Sequence, residues 1–360
     1  MVPGGLFSTK YASELAVIRT KTQWFFLSIV LIFFVVIIPI IADDYWLAVL
    51  ARIGVTIIVV LGLHILSGLT GLISLGQSGF VLVGAYIVAI LTHHWGLNGW
   101  LCLPICAVGS GIAGVIFGLP SVRLKMFYLA LATLAAHNII YWCFTYEGAK
   151  SVVGPSHGLT LSDQRLTLGS IDFSSDQNIY ILAVVLVIIS TFFAINIQRS
   201  NTGRKFIAIR DNELAAQVSG ISVFRNKLLA FFIACAFAGV AGWLWAYAQM
   251  HVSPRDKTID DGIMFMGMII VGGWGSTAGV FFGVAFLEFL GIITSDHLSP
   301  WLEGLVSDRW GSQLRTVLGP VLGGFSIIVF MKLFPKGLVG MWERAKVAYR
   351  IYPYSFWSRY

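Results

Sequence analysis

Charge is scarce in this sequence. Asp, Glu, Lys and Arg make up 11% of its 360 residues and apolar types 57%, whereas a soluble globular domain is about one quarter charged. A water-soluble globule is thereby excluded, and a chain that crosses a membrane many times is expected. Cysteine is sparse too. Cys102, Cys106, Cys143 and Cys235 all sit in apolar runs, with Cys102 and Cys106 four apart rather than in a C-x-x-C pair. They read as small core residues, and neither disulfides nor a zinc site are expected. No G-x-x-x-x-G-K-S/T motif occurs, which excludes ATP binding through a P-loop. H-E-x-x-H, G-x-S-x-G and clustered metal ligands are absent as well, so no catalytic or metal residue is nominated and no enzyme is expected. The net charge of +7 is sorted along the chain rather than pooled, and calls for no nucleic-acid partner.

What is present is a series of apolar runs, near 24–42, 46–66, 79–95, 99–119, 126–145, 178–198, 227–249, 260–273, 276–294 and 314–334. Several fall short of the roughly 20 residues of a full crossing. The expectation is an all-α polytopic membrane protein with about ten transmembrane helices. Lys10, Arg19 and Lys21 precede the first run, but Asp43 and Asp44 follow it with no small-x-small cleavage site, so it reads as a first span rather than a signal peptide. Alternation places 1–23, 120–126, 199–227 and 332–360 on one side. These segments hold 17 of the 24 Lys and Arg, with only Glu14, Asp211, Glu213 and Glu343 among the acids. Basic loops stay cytoplasmic, which puts both termini inside.

The expected division is therefore a cytoplasmic segment over 1–23, a transmembrane domain over 24–341 and a basic cytoplasmic tail over 342–360. The longest external segment, 146–177, is rich in Gly, Pro, Ser and Asp and predicts turns with a short hairpin near 159–173. Ser295–Gln313, with Trp301, Leu302 and Leu305, suits a short interfacial helix. Trp24, Trp46, Trp95, Trp100, Trp142 and Trp342 lie near run ends, as an interfacial belt requires.

Two glycine-rich interruptions stand out. One runs from Gly68 through Gly71, Ser74, Gly76, Gln77 and Gly79; the other takes in Gly272, Gly273, Gly275, Ser276 and Gly279. Both lead into an apolar run with further glycines, which predicts glycine-broken segments in two related halves. Broken backbone within a membrane is tolerated where it is buried or lines a wet cavity, so Gly71, Ser74, Gly76, Gln77, Gly79, Gly272, Gly273 and Gly275 are candidates for a translocation pathway. Close helix packing through small residues is the other reading. Within the runs, Arg52 is placed to snorkel outward and Glu288 to pair across helices. His64 and His137 read as buried, hydrogen-bonded residues, with His137 also a pathway candidate.

The longest polar interruption of the second half, 199–227, carries Arg199, Arg204, Lys205, Arg210, Arg225 and Lys227. Inside it a short helix is expected, with Asp211 as N-cap, Glu213 at the positive end of the dipole and Gly220 as the closing residue. Leu214, Val218 and Ile221 are spaced to face the membrane body. Ala215/Ser219 and Ala216/Gly220 form strips of small residues, with Asn212, Glu213 and Gln217 on the rim. The helix reads either as a docking peg for a cytoplasmic partner or as a solvated turn.

Glu213-Leu214-Ala215-Ala216-Gln217-Val218-Ser219-Gly220 resembles the E-x-A-A-x-x-x-G coupling loop of bacterial ABC importer permeases. Other blocks resemble the LivM-type branched-chain amino-acid permease family in the same order. They are Gly62–Phe80 with Gly84-Ala85-Tyr86, Val122–Lys125 with Tyr128–Leu134, Val153–Leu159, and Phe334–Gly340. The likeness covers about 45–345. It implies a non-catalytic permease subunit of an ATP-driven importer in the inner membrane, binding no cofactor itself. The implied partners are a second homologous permease, two cytoplasmic ABC ATPase subunits that hold the ATP, a periplasmic substrate-binding protein and a small polar solute. The coupling residues it implies are Arg210, Asp211, Asn212, Glu213, Ala215, Ala216 and Gly220. His64 stands where the family usually has Asn, and Val153 where it has Thr. The solute is accordingly a branched-chain amino acid or, as in close relatives, urea, a short amide or an aromatic acid. An ion-coupled secondary transporter using Glu288 or a histidine is the reading from a different class.

Overall fold

Backbone polar groups in a bilayer find no water, so apolar runs satisfy them internally by forming helices. The chain is described here by a computed structural model over residues 25, 28–29, 31–122, 126–149, 153–154, 158–161, 166–168, 171–173, 175–298, 308–334 and 336–351. A helical stretch over Phe33–Ile41 leads into α1 (Asp44–Leu63), which continues as a π-helix over His64–Leu69. Then come α2 (Gln77–Trp95), α3 (Gly99–Ser121), α4 (Met126–Thr145), α5 (Asp176–Arg199), α6 (Asn201–Asp211), α7 (Glu213–Val218) and α8 (Val223–Gln249). The last helices are α9 (Ile259–Gly272), α10 (Thr277–Ile293), α11 (Asp308–Leu333) and α12 (Gly337–Ile351).

Among the described residues six helices are long and apolar enough to cross a membrane: α1 with its π continuation, α2, α3, α5, α8 and α10. A seventh is counted if Leu318–Leu333 and Gly337–Val347, bent by 45°, form one span. The protein is a helical, multi-pass membrane protein. At 14 residues, α9 is only about 21 Å long, short of a hydrocarbon core of roughly 30 Å.

At the centre lies α8, which packs against α3, α2 and α1. Its closeness to them rests on missing side chains: a Cβ on Gly239 would lie 2.3 Å from the Cys106 carbonyl oxygen, and one on Gly84 would lie 2.6 Å from the Gly239 Cα. Helices without a solvent-driven force between them associate through such approaches and through interhelical hydrogen bonds. Ser110 Oγ donates to the Phe80 carbonyl at 2.8 Å, Gln77 Nε2 to that of Ala234 at 2.9 Å and Trp243 Nε1 to that of Gly99 at 2.8 Å. Trp243, Tyr86, Phe80 and Phe231 fill the space between these helices, each fully buried. Outside, α3 leaves Leu101, Ile105, Val108, Ile112, Ile116 and Leu119 exposed along one stripe, the face a membrane helix turns to lipid.

The expected hairpin is narrower than the sequence predicts. β2 (Thr167–Leu168) pairs antiparallel with β3 (Ile171–Asp172), whereas β1 (Leu159–Thr160) pairs with β4 (His251–Val252) beyond α8. Long-range pairing takes the first part of the segment because Leu159 and Val252 are both buried there. Cys102, Cys106 and Cys235 are buried, but Cys143 is exposed on α4, contrary to its reading as a core residue. Trp46, Trp95, Trp142 and Trp342 are exposed, consistent with the belt. Residues 1–23, Trp24, residues 299–307 of the expected interfacial helix, and the tail beyond Ile351 lie outside the described residues.

Adding one methyl group tests the central crossing. Gly239→Ala is expected to cost about 1–3 kcal/mol by overpacking, whereas Gly291→Ala on α10, with nothing within 4 Å of the added atom, is expected to be neutral or slightly stabilising. Thermal unfolding in mild detergent compares them; equal melting temperatures would refute the close crossing.

Candidate functional site

The polar interruption folds as two helices joined at a corner. α6 ends on Asp211, and Asn212, in extended conformation, caps α7 by accepting from the Ala215 amide at 3.0 Å. The expected cap, Asp211, is occupied differently: its Oδ1 accepts from Arg210 Nε at 3.2 Å and Nη2 at 3.1 Å. Gly220 closes the helix as expected, at φ 81°. The Gly220 amide reaches the Gln217 carbonyl at 2.9 Å and the Ile221 amide that of Ala216 at 3.0 Å, the paired bonds of a left-handed C-terminal cap.

The orientation of α7 corrects the sequence reading. Ala216, not Leu214 or Val218, is the buried residue; it is 3% exposed and packs with Ile209 and Val223, with Ile221 half-buried beside them. Leu214 is 74% and Val218 90% exposed. Rotation is fixed by Glu213, whose carboxylate meets Lys227 Nζ at 2.8 Å. That ion pair turns the smallest face inward against α6 and α8 and leaves two branched apolar side chains outside. Ala215 is exposed beside them.

Arg210 binds this corner to the membrane body. Its Nη1 donates to the Gly68 carbonyl at 2.9 Å, at the end of the π-helix, where the last carbonyls lack helical partners and the dipole favours a cation. Its side chain lies over Gly71 and Gly275: a Cβ on Gly71 would stand 3.0 Å from Arg210 Cγ, and one on Gly275 would stand 3.3 Å from Nη1. Gly71 and Gly275 also have φ of 73° and 83°, which L residues rarely adopt. The two glycine breaks therefore meet at one guanidinium. A Cβ on Gly68 would be 3.4 Å from the Gly275 nitrogen.

The remaining pathway candidates divide into two groups. Between the π-helix and α2 the backbone is non-helical and half-buried to buried, with Gly76 as the residue before α2. Gly76 lies against the Thr133 carbonyl and Gly79 against His137. The Leu75 amide donates to Thr133 Oγ1 at 3.0 Å, and Ser78 Oγ is 3.1 Å from His137 Nδ1. Among the described residues, Ser74 Oγ and Gln77 Oε1 are buried without a hydrogen-bond partner. So are both ring nitrogens of His64, which corrects its reading as hydrogen-bonded. Gly272 and Gly273 sit apart from this group, against Gly279 and Lys336. Arg52, expected to snorkel, points to Glu288 of α10 with Nη2–Oε2 at 3.8 Å. Sequence reasoning missed Lys227 as the partner of Glu213, and Lys257.

A family described as branched-chain amino acid transport system / permease component matches residues 45–308. The chain is similar to the high-affinity branched-chain amino acid transport system permease protein LivM of Salmonella typhimurium and to that of Escherichia coli. Each is 34% identical over 254 residues, which is 64% of this chain and 59% of theirs. The chain thus spans less than two thirds of the length of these curated relatives. It is also 24% identical over 300 residues to the probable branched-chain amino acid transport permease protein LivH of Methanocaldococcus jannaschii, 81% of this chain and 90% of that one. No solved structure matches significantly.

Removing the cap tests the corner. Asn212→Ala is expected to cost α7 about 1 kcal/mol, speeding hydrogen exchange of amides 213–218 roughly fivefold. Unchanged exchange would refute the cap.

Proposed function

The chain belongs to the family of branched-chain amino acid transport system permease components, and on that premise we propose that it is the permease subunit of an ATP-driven importer of branched-chain amino acids. The observation that carries this reading is the α6–α7 corner. A short capped helix projects Leu214 and Val218 outward, while Arg210, on the same corner, holds the carbonyl of a broken transmembrane helix. A peg with two exposed apolar side chains suits a groove on a partner, and the guanidinium carries its displacement to Gly68. ATP hydrolysis then takes place on two ATPase subunits, one of them docked at α7, and this chain does no bond chemistry.

In this reading a second, homologous permease completes the path and a periplasmic binding protein delivers the solute. The α7 end faces the cytoplasm together with both termini, in a plasma membrane crossed by about ten helices. We read α1–α2 and α9–α10 as equivalent units of two related halves, a reading supported by the convergence of both breaks on Arg210. The gate has two states that the partners bias by differential contacts. Substrate class follows the names of the similar LivM and LivH proteins; urea, short amides and aromatic acids are the alternatives. Glu288 is engaged by Arg52 and by Thr56 Oγ1, which donates to it at 3.0 Å. That engagement weighs against a proton-coupled carrier relying on this carboxylate.

The docking surface is tested without disturbing the subunit's own packing, so Ala216 and Glu213 are left alone. Leu214→Asp with Val218→Asp is expected to reduce ATPase recovered with the detergent-extracted chain roughly tenfold or more, with an unchanged melting temperature. Full recovery of ATPase by the double variant would refute the docking assignment.

A further inference from the structure

A second polar cluster lies at the end of the bundle opposite α6–α7, where α1, α8, α10 and the segment leading into α9 meet. Lys257 in that segment is 9% exposed, and its ammonium stands 3.6 Å from the centroid of the Trp245 ring. Among the described residues it has no hydrogen-bond or ion-pair partner. The carboxylates nearby are committed elsewhere. Asp256 accepts from the Ser253 amide at 2.8 Å, Asp261 from the Thr258 amide at 2.7 Å, and Glu288 holds Thr56 and Arg52.

Trp245 adds a second unmet donor: its Nε1 is buried without an acceptor. The same indole borders a cavity of about 30 Å³ between α1, α5 and α8, also lined by Arg52, Asp176 and Gln249. That is room for water-sized groups, so the site is closed in this conformation. A buried ammonium with no acceptor is costly, and a cation–π contact offsets only part of that cost. Burial holds the Lys257 pKa below the ordinary lysine range, with Asp261, Glu288 and Asp256 opposing that shift. The Lys257 ammonium above the ring and the indole Nε1 on it are thus two unmet donors beside a half-exposed guanidinium, and the carboxylates around them do not reach either one.

We propose that Lys257, Trp245 and Arg52 form the site that takes the carboxylate of the transported solute. The site then opens when the helices around the cavity part. It is a specificity device: a zwitterion with one carboxylate satisfies it, and a neutral urea or amide does not. This inference rests on the importer reading and narrows its substrate to solutes with a carboxylate, setting aside urea and short amides.

The test uses the full chain in lipid nanodiscs, with L-leucine, isovalerate and leucinamide as probes in saturation-transfer NMR. Wild type is expected to bind leucine and isovalerate and to bind leucinamide more weakly. Lys257→Gln is expected to weaken leucine and isovalerate roughly tenfold or more, because an ionised donor to a buried carboxylate is lost. Lys257→Arg keeps binding within a few-fold. If Lys257→Gln does not fold, Trp245→Phe decides, since it keeps an aromatic ring beneath the ammonium and removes the N–H together with the fused five-membered ring. A folded variant, either Lys257→Gln or, in its place, Trp245→Phe, that binds isovalerate like wild type overturns the site, as does a wild type that binds neither carboxylate. Uptake by the importer assembled with its ATPases and binding protein separates the two claims. Leucine transport with an unaltered KM in Lys257→Gln removes the site and leaves the importer standing. Lys257-dependent binding with no ATP-driven uptake leaves the site and removes the importer.

Discussion

Backbone that leaves helical geometry inside a bilayer must find its hydrogen-bond partners within the protein, because each unmet group costs several kcal/mol there. In this chain the requirement falls on Gly68, where α1 ends after a π-helical stretch, and Arg210 meets it at 2.9 Å. A lysine could neutralise the same dipole, but it would have to reach Asp211 and Gly68 from a single nitrogen. The planar fork of arginine reaches both, with Nε and Nη2 on one and Nη1 on the other. Placing that fork on α6 makes the group that completes the membrane fold part of the unit that projects from it. In the importer reading, movement of the α6–α7 corner acts on the break through one charge-assisted bond and the contacts over Gly71 and Gly275.

The same bond explains what the sequence could and could not show about the corner. Asp211 and Asn212 are equally good caps by local preference, and the choice between them is made 142 residues away in the chain, where Gly68 draws Arg210 into the interior and Asp211 follows the guanidinium. Spacing of Leu214, Val218 and Ile221 was legible as an apolar stripe, but the rule that a stripe faces the core assumes that all partners of a helix are in its own chain. Here Ala216 faces inward while Leu214 and Val218 face out, held by a Glu213–Lys227 pair that no local pattern reveals. Gly220 was legible because a helix stop with positive φ is a local requirement. Apolar runs and glycine breaks were legible for the same reason. Which break touches what was not, since it depends on how α1, α6 and α9 cross.

Length decides where the opposite cluster sits. Ile259–Gly272 is 14 residues, so from the Arg210 level α9 rises only about 21 Å. The residues that start it, Thr258 with Asp261 and Ser253 with Asp256, cap their own helical turns through reciprocal bonds. The amides of Ser253, Arg255 and Thr258 are thereby satisfied below the level where α1 begins. Arg52 is 17 positions before Leu69 along α1, about 25 Å away, and reaches the same depth. That is why Arg52, Glu288 and Lys257 share one region although each belongs to a different element.

One helix therefore carries both sites. α1 presents Arg52 to Glu288 near one end and Gly68 to Arg210 at the other, and it is buried along most of its length against α5 and α8. A buried helix transmits displacement as a body unless something in it yields, and the π-helical turn over His64–Leu69 is the one irregular part of α1. π-Helical turns recur at functional positions because the wider turn exchanges with α-helix through a one-residue shift. His64 lies at its start, buried with both ring nitrogens unpartnered, so the turn holds polar groups that another arrangement could satisfy. In the importer reading, work done at α7 is thus either absorbed in this turn or passed along α1 to the Arg52–Glu288 pair. The side chain at position 64 bears on which of the two occurs.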